Sequence, residues 1–105
     1  MIELENQSEE DNEKEILLKI EDEMIAKFCE LTGGMEIAMP IIRKQYEKLN
    51  IDFKNPSRED LLKIAETLTD VTQKIKGEII AREESRYFRE LFKKLEDKMK
   101  DLHFE

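Results

Sequence analysis

From Leu61 onward the apolar residues Leu61, Ile64, Leu68, Val71 and Ile75 fall at steps of three, four, three and four. On a helix this spacing gathers all five into one stripe; on a strand it scatters them over both faces, so it admits helix and rejects sheet. The segment before them announces a helix start. Pro56 blocks helix ahead of it, Ser57 is placed to cap, and Glu59 and Asp60 suit the positive end of the new helix. Leu62, Ala65 and Thr72 flank the stripe. The seam lasts about two heptads, too short to establish a coiled coil by itself.

The same period recurs on either side. Leu17, Ile20, Met24, Phe28 and Leu31 define a first stripe, widened by Ile16, Ile25 and Cys29, with Lys19, Glu21, Asp22, Glu23 and Lys27 left for solvent. A helix over about 10–31 follows. Its start is marked by Ser8 with Asp11, or by Asn12 with Glu15, and its end by Gly33-Gly34. Met35 to Leu49 carries Ala38, Ile42, Tyr46 and Leu49 on one face. Because Pro40 is tolerated only near a helix start, this second helix is expected to be short and to begin near 36–39. Asn50 breaks the chain, and Ile51 and Phe53 read as loop anchors tucked against the bundle.

Beyond Gly77 the phase shifts, and Ile80, Tyr87, Phe88, Leu91, Phe92, Leu95, Met99 and Leu102 make a last stripe. Two structures fit: a hairpin turning at Gly77, or one bent helix over about 58–101. A mid-helix glycine costs only about 1 kcal/mol, and no Ser, Thr, Asp or Asn in 73–84 could cap a new start. The continuous helix is therefore favoured. It would be about 66 Å long, too long for two shorter helices to cover, and a second chain would have to cover the rest. The polar run Arg82-Glu83-Glu84-Ser85-Arg86 is expected to be solvated or to meet a polar partner. The fold class expected is all-α: a small bundle of three helices, or four if Gly77 breaks the last, formed by residues 12–105 as a single domain. Residues 1–11, acidic and short of anchors, are expected to fray.

Charge is distributed unevenly. Residues 1–30 hold eleven acids against three lysines, which accounts for the whole net charge of −8. Residues 31–105 are balanced. An acidic chain with no helix-turn-helix pattern is disfavoured as a nucleic-acid binder. The longest apolar run, Ile37–Ile42, falls far short of the ~20 residues that span a bilayer, and the acidic N-terminus does not read as a secretory signal. A lone cysteine suits a reducing compartment, so a cytoplasmic protein without membrane or nucleic-acid partners is expected. Abundant Lys and Glu echo thermophile composition, as any long-helix protein would.

Candidate chemistry is sparse. The one histidine, His103, lies in the C-terminal tail with no Glu three residues ahead, which argues against a di-iron bundle. The single Cys29 has no partner for a zinc site and reads as a core thiol. No catalytic residue, metal or cofactor is expected. Basic residues on the second helix, Arg43, Lys44 and Lys48, could receive the acidic N-terminal segment, though simple solvation is the plainer account. On the last helix Glu90–Lys94 and Glu96–Lys100 stand at ion-pair spacing, as do Glu59–Lys63.

The expected function is a non-enzymatic interaction or dimerisation module, an adaptor or regulatory subunit, whose apolar stripe is completed by a second copy or a partner helix. The interface residues would be Leu61, Ile64, Leu68, Val71, Ile75, Tyr87, Phe88 and Phe92. In a monomer the same residues would be core. The alternative is a small sensor or ligand-binding bundle with a pocket between the first two helices, lined by Phe28, Cys29, Met35, Met39 and Tyr46.

Overall fold

A computed structural model of the chain describes the backbone of residues 9–103 and the side chains of 12–102. Four helices follow one another: α1 (Glu9–Thr32), α2 (Met35–Leu49), α3 (Arg58–Lys76) and α4 (Glu78–His103). Each packs against its neighbour in sequence, α1 closes against α4, and α1 also reaches α3 across the middle; α2 and α4 do not touch among the described residues. The order is up-down-up-down, and the molecule measures 50 × 24 × 21 Å.

Local chemistry sets each boundary. α1 is already helical at Glu9, so Asn12 lies inside it rather than capping it. Ser8, the other expected cap, and the rest of the segment expected to fray lie outside the described residues. α1 stops where the Gly34 amide donates back to the Cys29 carbonyl at 2.8 Å. That closure needs positive φ at Gly33, which has 107°.

α2 begins at Met35, earlier than proline placement suggested, and carries Pro40 inside it. Pro40 and Glu36, whose carbonyl loses its intrahelical donor, both lie on the exposed side, where water can serve that carbonyl. Asn50 ends α2 in the left-handed conformation, and Phe53 in the following loop stacks flat on Tyr46 at 3.9 Å. Ser57 and Asp60 form a reciprocal capping box at α3: the Asp60 amide donates to Ser57 Oγ and the Ser57 amide to Asp60 Oδ2.

The favoured continuous helix is overturned at Gly77. Its φ of 96° and ψ of 172° lie outside helical space, and α3 and α4 fold back on each other as an antiparallel hairpin. Arg58 at the start of α3 pairs with Glu96 near the end of α4. α4 starts without a capping side chain; the Ala81 amide reaches the Gly77 carbonyl at 3.2 Å instead. A one-residue turn costs little in glycine, and the hairpin buries both apolar stripes against α1, which a rod would leave open. The ~66 Å rod, and with it the geometric need for a second chain, is therefore absent.

The core joins all four helices: Ile20, Met24 and Phe28 of α1, Ala38, Ile42 and Tyr46 of α2, Leu61, Ile64 and Leu68 of α3, and Phe88, Leu91 and Leu95 of α4. Fully burying one such aliphatic or phenyl side chain contributes roughly 1.5–3 kcal/mol. No helix among the described residues is long and apolar enough to cross a membrane.

Candidate functional site

The hairpin leaves a groove on its outer face, between α3 and α4. It has a volume of about 500 Å³ and is open along its length. Ala65 and Thr69 of α3 and Ser85 and Phe88 of α4 line it. Leu62, 43% exposed, and the half-buried Phe92 face each other at one end. The groove continues past Ser85 toward the turn, where Gln73, Ala81 and Arg82 line it.

The two walls carry opposite charge. Glu66 and Asp70 line the groove from α3 and Arg89 from α4; further along, α4 contributes Arg82 together with the acid that neutralises it, Glu78. Glu66 and Asp70 make no hydrogen bond or ion pair among the described residues. Arg89 makes only a long contact, 3.5 Å, to Ser85 Oγ of its own helix. Arg82 is held by Glu78 one turn back at 2.8 Å. The groove thus separates acid from base by its own width and leaves most of them unspent. Beyond it, Glu96 has turned to Arg58 across the hairpin rather than to Lys100 along α4.

Most of the expected interface lies inside the molecule. Leu61, Ile64, Leu68 and Phe88 are buried in the chain's own core, Val71 and Tyr87 are half-buried, and Ile75 is 50% exposed near the turn. Of the eight, Phe92 and Phe88 also border the groove. Leu62, which flanks the predicted seam, was missed as a surface residue because its neighbour Leu61 takes the core position.

The expected pocket residues do not line one cavity. Phe28, Cys29 and Tyr46 are buried, Met39 is half-buried, and Met35 is 65% exposed. The open space near Tyr46 is instead a shallow cleft of about 400 Å³ with Arg43, Glu47, Asn50, Ile51 and Phe53. Burial pushes the Cys29 thiol up, away from the reactive thiolate. Arg43, Lys44 and Lys48 are exposed; the acidic segment that could meet them, and the His103 side chain, lie outside what is described. No group of three or more His, Cys, Asp or Glu among the described residues is arranged to hold a metal.

Two buried carboxyls correct the expectation that these residues face solvent. Glu84, in the middle of the polar run 82–86, has no exposed surface. It occupies the α4 core row Ala81, Glu84, Phe88, Leu91, Leu95, whose steps of three and four match the seam of α3. Among the described residues, neither its two oxygens nor the Oγ1 of the buried Thr72 opposite has a hydrogen-bond partner. Desolvation raises its pKa to about 7, with the polar neighbours Thr72 and Thr69 and the Lys27 charge offsetting part of the effect. Lys27 itself lies over the Tyr87 ring at 4.9 Å and pairs with Glu30.

Glu21, on α1, is 3% exposed and accepts the Tyr46 hydroxyl at 2.6 Å. Desolvation raises it to about 7 as well, partly countered by the Tyr46 bond, with Asp22 and Asp52 adding to the rise. Burial and Glu21 in turn push the Tyr46 hydroxyl up.

Comparison with protein-family models, with curated proteins and with solved structures finds no match to this chain.

Proposed function

We propose that this protein is a non-enzymatic helical interaction module that docks another helix in the groove between α3 and α4. The observation that carries the reading is the groove itself. It has an apolar end at Leu62 and Phe92, and its walls carry Glu66 and Asp70 on α3 and Arg89 on α4, none of them in an ion pair among the described residues. Docking a helix in such a groove removes Leu62 and Phe92 from water and offers charged partners to Glu66, Asp70 and Arg89. The occupant that fits is an amphipathic helix with bases along one flank and acids along the other. An adaptor or regulatory subunit in a reducing cytoplasm is the corresponding role. The rival reading, a ligand pocket between α1 and α2, draws no support from side chains that fill the space between those helices.

The test is photo-cross-linking in the cells that make the protein. A benzophenone amino acid in place of Leu62 is expected to trap a protein partner, and the same group in place of the exposed Lys44 on α2 is not. Equal yields from the two positions, or none from position 62, would refute the docking groove.

A further inference from the structure

We infer that the α3/α4 groove is covered by the same face of a second copy, its α3 laid along α4 and its α4 along α3, about a two-fold axis parallel to the hairpin. The inference rests on the docking function just proposed and names its partner.

The heights of residues along the hairpin decide the symmetry. Arg58 meets Glu96, Leu62 and Phe92 share one end of the groove, and Thr69 and Ser85 share its middle. Because the helices are antiparallel, Glu66 then stands level with Arg89 and Asp70 within a turn of Arg82. A two-fold axis lying between the copies and parallel to α3 and α4 carries α3 of one copy over α4 of the other without changing height. Leu62 then lies over Phe92 and Glu66 over Arg89, each contact occurring twice, while Asp70 comes near the Glu78–Arg82 pair. The acidic wall of each copy faces the basic wall of its partner. The other in-plane axis, perpendicular to the helices, would lay α3 on α3 and α4 on α4, setting acid on acid and base on base. Only the first arrangement satisfies the charges, and in it each α3 also lies antiparallel to the α4 it covers.

α3 is 19 residues, about 28 Å, and two helices side by side are about 20 Å wide. That face, roughly 600 Å² in outline, lies at the low end for a specific interface. The dimer is accordingly expected to be weak and salt-sensitive.

Sedimentation of the full chain over a concentration series tests this. The wild type is expected to move from 12.5 kDa toward twice that mass, and less readily at high salt. Glu66→Arg and Arg89→Glu lie at exposed positions, so helicity measured by circular dichroism is expected to persist in both. Each change puts two like-charge contacts into its own dimer and is expected to weaken it about tenfold or more. An equimolar mixture of the two variants restores both pairs in a heterodimer, and its mass is expected to return to that of the wild-type dimer. A wild type that stays monomeric, variants that dimerise as before, or a mixture that fails to recover would each overturn the inference. Cross-links from position 62 to a different protein would overturn the second copy while leaving the groove as a docking site. Absence of cross-links would remove that site itself.

Discussion

Replacing Glu84 by leucine is expected to change how the stability of this protein depends on pH. Glu84 is a carboxyl in a core row otherwise made of Ala81, Phe88, Leu91 and Leu95, and neither oxygen has a hydrogen-bond partner among the described residues. Folding moves its pKa from the ordinary 4.5 to about 7. The difference corresponds to roughly 3 kcal/mol between protonation states. The sign follows from linkage. A raised folded-state pKa means that the group's contribution to stability is intact below pH 4.5 and is lost as pH rises through about 7. Between those limits the folded protein keeps a proton that the unfolded chain releases, so stability falls by about 1.4 kcal/mol per pH unit for each such carboxyl. Glu21 is shifted over the same window, so the wild type carries two such slopes.

Glu84→Leu removes one of them. Urea unfolding followed by far-ultraviolet circular dichroism, repeated from about pH 5 to about pH 8, reads the slope directly. The variant is expected to lose stability about half as steeply as the wild type. At pH 8 it should be more stable by roughly 3 kcal/mol, plus whatever the added packing contributes. Parallel profiles for the two proteins, or a wild type whose stability rises with pH over this range, would refute the buried, proton-holding carboxyl.

Tyr46→Phe leaves Glu21 buried without its one donor, so a loss of about 1–3 kcal/mol is expected in urea unfolding. An NMR titration of Glu21 should show its pKa moving further up, because the lost bond stabilises the ionised form. Gly77→Ala places a side chain at φ 96°, where added atoms meet no neighbour but the backbone is strained; a loss of about 1–2 kcal/mol is expected, and an unchanged midpoint would deny the tight turn. Ser57→Ala removes half of the capping box and is expected to lower stability by about 1 kcal/mol, with Ser57→Gly costing less.

The outcomes at Gly77 and Glu84 show where sequence reasoning stops. Gly77 permits either a kinked helix or a reversal, at similar local cost, and the missing cap after it favoured continuation. The choice was made by burial elsewhere: reversal lays Phe88, Leu91 and Leu95 against the same core as Leu61, Ile64 and Leu68. Glu84 was legible in principle, since stepping back four from Phe88 lands on it and three more on Ala81. A reading that follows only apolar residues passes over a charged one in register. Glu21 was hidden similarly, four residues from both Leu17 and Ile25, and its partner Tyr46 is distant in sequence.

The groove could not be read at all. Its walls come from helices whose pairing depends on the turn, and Leu62 became a surface residue only once Leu61 had taken the core. What the sequence alone determined are the properties that depend on neighbours a few residues apart. These are helical periodicity, the Gly33-Gly34 stop, the Asn50 break, the Ser57–Asp60 cap and the Phe53 anchor beside them. Tertiary structure alone decided the direction of the last helix, the burial of two carboxyls and the facing of acidic and basic walls. Each of these depends on which apolar surfaces can be removed from water together, a sum over the whole chain that no local window contains.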